Sequence, residues 1–202
     1  MCRDVRLALW DRHKRTLSLV RDRAGVKPLY LARTAHGVVF GSELSALRAY
    51  PGFAPPINRD ALTLLFRYGH IPAPHTIFEA TWKLEPGTIL EIGPGQAAQP
   101  QRWSVRTYWS ARDAFAEGHR APLEMHPDAA TATLEALLMD AVGMRMVADV
   151  PLGAFLSGGI DSSIVVALMQ AQSERPVKTF SIGFKEAGYD EAPAARAVAG
   201  HL

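Results

Sequence analysis

One cysteine stands in 202 residues. That is too few for a disulfide framework or a thiolate metal cluster within the chain. No apolar run approaches the roughly 18 residues that a bilayer span requires. The opening stretch, Met1 to Asp11, carries charges inside its apolar part and does not read as a secretory segment. Charge of one sign is lacking too: 22 Lys and Arg stand against 20 Asp and Glu, a net +2. With no basic stripe and no interleaved aromatics, nucleic acid is not an expected partner, and neither is a membrane. The seven histidines show no metal-ligand spacing. What is present, 48% hydrophobic and 21% charged residues, is the composition of an ordinary globular chain. It excludes disordered, collagen-like and coiled-coil classes. The expected location is the cytoplasm, and the length suits one large domain or two small ones.

The first half reads as strands and turns. Val5, Leu7 and Leu9 alternate with Arg6, Ala8 and Trp10; Thr16 to Val20 alternates again, and Gly37 to Phe40 is another short strand. Ser42 is expected to cap a helix running to Tyr50, before Pro51-Gly52. Asn58 is expected to cap a second helix that carries Leu62, Leu65 and Phe66 on one face and ends at Gly69. A strand is predicted over Thr88 to Ile92. Ser110 to Pro127 has little periodicity and reads as a linker. From Asp128 the character changes. A helix of about 20 residues sets Leu134, Leu137, Leu138, Ala141 and Val142 at helical spacing. An apolar strand, Val150 to Leu156, a helix beginning near Ser162, a strand from Val177 to Phe184 and a last helix from about Asp190 follow. Together they make a βαβα unit with a parallel sheet.

The chemistry lies in Ser157-Gly-Gly-Ile-Asp-Ser162, between that strand and its helix. Adjacent Gly158 and Gly159 let backbone N–H groups face an anion with no Cβ in the way. The helix N-terminus behind them adds unpaired donors and partial positive charge. Ser157, Ser162 and Ser163 offer hydroxyls, so a polyphosphate is the natural guest. Asp161 would repel it unless the carboxylate holds a divalent cation shared with the phosphates. The bland alternative is an ordinary turn with Asp161 and Ser162 as helix caps. The loop is neither a Walker A sequence nor a G-x-G-x-x-G fingerprint.

Ser157–Ser162 resembles the pyrophosphate-binding loop of the ATP pyrophosphatase (PP-loop) superfamily. The wider block Asp149 to Ser163, followed by Phe180-Ser-Ile-Gly-Phe184 and Tyr189-Asp-Glu191, resembles glutamine-hydrolysing asparagine synthetases. Leu7-Ala-Leu-Trp-Asp11, Arg21 to Tyr30 and Gly41-Ser-Glu43 are similar to the later strands of that family's class II glutaminase domain. Arg67 to Pro72, Lys83 to Gly87 and Tyr108-Trp109 are similar to its end. The resemblance implies an antiparallel α+β remnant of an Ntn-type glutaminase domain over residues 1–109. A linker over 110–127 and the start of an α/β PP-loop (adenine nucleotide α-hydrolase-like) domain over 128–202 would follow. It implies ATP, aspartate and glutamine as substrates and Mg2+ as cofactor. The reaction it implies is an ATP-dependent amidation of aspartate through a β-aspartyl-adenylate, with ammonia drawn from glutamine. The nucleotide contacts carry over to Leu156, Ser157, Gly158, Gly159, Asp161, Ser162 and Ile182, with Asp161 the Mg2+ candidate. For Leu156 and Ile182, plain sheet core is the competing reading. A homodimer is the implied assembly.

The family's glutaminase uses an N-terminal Cys that follows the initiator Met. Cys2 occupies that position by number, but Arg-Asp-Val follows it where the family has Gly-Ile. Counted back from Leu7 to Asp11, residues 2–6 fall deep inside the glutaminase domain, so Cys2 is not expected to be the nucleophile. The family's later Gly-Asp-Glu segment has no counterpart here. The expectation is a chain truncated at both ends that binds ATP at best. The alternatives are another amide-forming PP-loop synthetase, of β-lactam synthetase or polysaccharide-cluster type, or a non-catalytic truncated product.

Overall fold

The computed structural model describes residues 5–186, 188 and 190–202. Cys2 and Tyr189, both named above, lie outside them. The chain divides into two compact units, one ending at Pro122 and the other running from Leu123.

In the first unit, β1 (Arg6–Asp11), β2 (Thr16–Arg21), β6 (Thr88–Ile92) and β7 (Ser104–Thr107) form one antiparallel sheet in the order β1-β2-β6-β7. β3 (Tyr30–Thr34), β4 (Gly37–Gly41) and β5 (Thr81–Lys83) form a second, in the order β4-β3-β5. In β2 and β6 the period-2 pattern sets one face inward, whereas β7 is exposed along its length and β1 along all but its last residue. Leu19 of β2 lies opposite Leu90 of β6, and Leu31 of β3 opposite Trp82 of β5. Leu19, Leu29, Leu31, Leu84, Leu90 and Ile92 join in one core, and Trp82 and Trp103, edge to face with each other, pack against it. Each fully buried leucine contributes about 2 kcal/mol through removal of its surface from water.

The irregular chain between β2 and β3 is held by two adjacent charged residues. Asp22 accepts the N–H groups of Val26 and Lys27 on its carboxylate, at 2.8 and 2.9 Å, and those of Gly25 and Gly87 on its carbonyl. Arg21, only 5% exposed, donates to the carbonyls of Gly25, Lys27 and Leu84, while its own carbonyl accepts from the Tyr108 hydroxyl. Both groups are thus committed to structure.

Helices α1 (Leu44–Arg48) and α2 (Arg59–Tyr68) follow β4. For α1 the expectation needs correction: Glu43, not Ser42, is the N-cap, and the helix stops before Tyr50. The Glu43 carboxylate takes the Ser45 hydroxyl at 2.9 Å and leaves the backbone donors uncapped. At α2 both expected ends are present. Asn58 Oδ1 accepts from the Ala61 N–H at 3.1 Å, and Gly69 closes the helix at φ 72. The expected apolar face is not buried, however: Ala61 is the buried position and Phe66 is 86% exposed. The segment read as a linker contains a helix, α3 (Ala111–Arg120), capped by Ser110 and exposed along its whole length. Its pattern carried no buried period because no face of it is buried, while the cap and the Ala, Arg and Glu residues suffice locally.

The second unit contains α4 (Pro127–Gly143), β8 (Gly153–Phe155), α5 (Ile160–Ala171), β9 (Lys178–Phe180) and α6 (Ala192–His201). β8 and β9 pair in parallel, Gly153 with Lys178 through Phe155 with Phe180, as the βαβα reading requires. Both strands are shorter than the apolar runs around them. α5 begins at Ile160, before Ser162, and Leu134 and Leu137 of α4 are exposed instead of packed. The core here is small: Leu156, Val166 and Ala195, with Ala154 and Val198 against them. Among the described residues no helix is long and apolar enough to cross a membrane.

Candidate functional site

In open parallel sheets, ligands settle outside the carboxyl ends of the strands, where helix N-termini also point. Here that place is the connection from β8 to α5. Leu156 follows directly on β8. Its N–H donates to the Phe180 carbonyl at 2.9 Å and its side chain sits in the core, 2% exposed. The chain then turns at Gly158, whose φ is +83. A Cβ there would lie 2.7 Å from Ala194 Cβ and 2.9 Å from the Ala195 nitrogen, so α6 packs directly on the loop backbone. Gly159 is the N-cap of α5. Its carbonyl takes the Ser163 N–H at 3.0 Å, the Ser163 hydroxyl at 2.7 Å and the Ser162 hydroxyl at 3.2 Å. The Ser157 and Ser162 hydroxyls meet at 2.9 Å. The Gly159 N–H donates to Ser157 Oγ, and the Ser157 N–H to Ser162 Oγ, each at 3.3 Å. The N–H groups of Ile160, Asp161 and Ser162 belong to the first helical turn and have no partner within the helix. Asp161 is an exposed carboxylate on the same turn.

An open cavity of about 310 Å³ lies beside this loop. Of the seven residues expected to hold nucleotide, Leu156, Ser157, Ser162 and Ile182 line it; Gly158, Gly159 and Asp161 do not. Ile182 requires a correction. It lies two residues beyond the end of β9 and is 68% exposed at the cavity, so it is neither on the strand nor sheet core. The Leu156 side chain is core, as one reading expected, and the residue also borders the cavity. Phe155, Phe180, Ser181, Phe184 and Glu191 also line it; all fall within the stretches that carry the resemblance, but none of them was assigned to the nucleotide. Their common signal was position: each flanks the C-terminal end of one of the two strands or the start of α6.

Among the described residues no group of His, Cys, Asp and Glu is arranged to hold a metal on its own. The first unit has a mostly apolar cavity of about 210 Å³ walled by Leu31, Trp82, Leu90 and Trp103, with Lys83 and Glu85 also in its lining. Nearby, burial pushes the Arg21 guanidinium below its usual value, against the attraction of Asp22. Burial also lowers Lys83, helped by the like charge of Arg21.

Residues 5–109 match the family model described as glutamine amidotransferase domain, and residues 133–202 the one described as asparagine synthase. A Methanocaldococcus jannaschii protein carrying the name "Putative asparagine synthetase [glutamine-hydrolyzing] 2" is 36% identical over 92% of this chain and 34% of its own. Asparagine synthetase [glutamine-hydrolyzing] 3 of Bacillus subtilis is 30% identical over 89% of this chain and 28% of its own. Asparagine synthetase [glutamine-hydrolyzing] 1 of the same organism is 30% identical over 96% of this chain and 28% of its own. The chain thus spans about a third or less of the length of these relatives.

Proposed function

The chain belongs to the glutamine-hydrolysing asparagine synthetase family, and from that premise we propose that its second unit is the ATP-binding part of an aspartate-amidating ligase. The whole reaction converts aspartate to asparagine through a β-aspartyl-adenylate, with ammonia from glutamine and release of AMP and pyrophosphate. This chain's share of it is nucleotide binding. The observation that carries the reading is the gathering of Leu156, Ser157, Ser162 and Ile182 around one cavity, at the carboxyl ends of two parallel strands and the N-terminus of α5.

In this reading 128–202 begins a PP-loop domain, 1–109 is the distal part of an Ntn-type glutaminase domain and 110–127 joins them. The division of the chain at Pro122 falls inside that joining segment and supports the arrangement. The adenosine lies between the Leu156 backbone and Ile182. The pyrophosphate lies against Gly158, Gly159 and the first-turn N–H groups, with the serine hydroxyls exchanging their mutual bonds for phosphate oxygens. The donor set suits a hard cation: Asp161 supplies an exposed carboxylate oxygen beside the phosphate loop. A Mg2+ ion held there would offset phosphate charge. Cys2 has no part in this function. The protein works in the cytoplasm, and as a homodimer.

Thermal unfolding with and without Mg-ATP tests the reading. At a hundredfold excess over Kd, binding adds about 2.7 kcal/mol of stability. The expected result is an upward shift in wild type that Asp161→Ala loses or sharply reduces. An unchanged midpoint for the wild-type chain would refute nucleotide binding, and an equal shift in Asp161→Ala would remove the cation role.

A further inference from the structure

The β8–β9 ladder ends in an unusual way. In a regular parallel pair, a residue donates its N–H to one residue of the partner strand and accepts at its carbonyl from the residue two further on. Leu156 donates to the Phe180 carbonyl at 2.9 Å, so the regular donor to its own carbonyl would be the N–H of Ile182. The Leu156 carbonyl instead accepts the Ser181 hydroxyl, at 2.6 Å. A side chain thus makes the bond that the backbone of the next residue would make. The chain leaves the sheet at that point, and Ile182 stands 68% exposed at the cavity.

We infer that Ser181 is a positioning residue for the nucleotide site, fixing the gap between the Leu156 backbone and Ile182 by ending the parallel ladder with its hydroxyl. The inference rests on the nucleotide reading above and adds to it a residue and a specificity: Ser181 governs the nucleoside end of the ligand and leaves the pyrophosphate end alone. Without the hydroxyl, the Leu156 carbonyl, next to a buried side chain, needs another donor. The Ile182 N–H is the one the ladder supplies. Taking it draws Ile182 toward the sheet and narrows the space on that side of the cavity, while Gly158 and Gly159 remain where α5 and α6 hold them.

The test compares ATP with inorganic pyrophosphate, each titrated with Mg2+ by calorimetry into wild type, Ser181→Ala and Ser181→Thr. Ser181→Ala should weaken ATP about three- to tenfold, the range of one hydrogen bond's net worth. Pyrophosphate should stay within twofold, and Ser181→Thr, which keeps the hydroxyl on an exposed side chain, should restore ATP binding. Equal weakening of both ligands, unchanged ATP binding in Ser181→Ala, or failure of the threonine to restore it would each overturn the inference with the nucleotide site intact. A wild-type chain that binds neither ligand would remove the nucleotide reading itself, and this inference with it.

Discussion

Gly158→Ala and Gly159→Ala are neighbouring substitutions with very unequal expected costs. At Gly158 the backbone is left-handed, φ +83, and the added Cβ would lie 2.7 Å from Ala194 Cβ and 2.9 Å from two backbone atoms of α6. The conformational term costs about 1–2 kcal/mol, and moving packed backbone costs about 1–3 kcal/mol more. A total of about 2–5 kcal/mol is expected. At Gly159 φ is −73, and the one neighbour within 4 Å of an added Cβ is Ser157 Oγ at 3.3 Å. Only the loss of a favourable N-cap remains, about 1 kcal/mol or less. All four tryptophans, Trp10, Trp82, Trp103 and Trp109, belong to the first unit, so their fluorescence follows that unit. The far-ultraviolet helix signal is weighted to the second, which contains α4, α5 and α6. In urea, Gly158→Ala should move the helix transition to lower denaturant and leave the tryptophan transition in place. Gly159→Ala should move neither by much, yet weaken Mg-ATP, because its Cβ stands on the loop proposed to face phosphate. Stabilities for the two variants within about 0.5 kcal/mol of each other would refute the account of how α6 holds the loop.

Two further outcomes follow from the first unit. Arg21→Met leaves the Gly25, Lys27 and Leu84 carbonyls without their donor, and should cost about 3 kcal/mol on the tryptophan-monitored transition; a loss under 1 kcal/mol would show that the guanidinium is incidental. For Lys83, burial and Arg21 lower the folded-state pKa below the ordinary 10.5. The unfolded chain therefore binds more protons between the two values, and this residue's contribution to stability rises with pH across that window. Lys83→Met should flatten the alkaline slope measured by urea unfolding, and a slope unchanged from wild type would contradict the shift.

What the sequence could disclose followed from how strongly each element depends on neighbours far along the chain. α2 was legible because Asn58 and Gly69 act within a few residues of the ends they fix. β1, β2 and β6 are long enough for alternation to register. β5 and β7, three and four residues long, are not, and they exist because β3 and β6 offer open edges to pair with. The turn between β8 and α5 was legible because glycine, serine and a following helix are local features. Ile182 was misplaced because the end of β9 depends on the Ser181 hydroxyl reaching Leu156, 25 positions away in sequence. The apolar spacing of Leu134 and Leu137 marked a helix correctly but not its burial, since a repeat states which face is apolar and not what lies against it.

The two units also differ in how their irregular segments satisfy polar groups, and that difference favours the loop after β8 as the proposed phosphate site. In the turns around β2 and β3, bonds to the Arg21 and Asp22 side chains, charge-assisted and largely 2.7–3.2 Å long, close nearly every demand. An incoming ligand would have to displace a buried ion to reach those backbone groups, at a cost of several kcal/mol. In the loop after β8 the corresponding partners are neutral hydroxyls, with Ser157 and Ser162 bonded to each other and two backbone N–H groups reaching them at 3.3 Å. Neutral bonds of that length are weak beside those an ionised oxygen would make. A phosphate bound there would therefore exchange poor acceptors for good ones without unfolding anything. The backbone conformation it needs is already fixed by Gly158 against α6, so the ordering cost of binding falls mainly on the ligand.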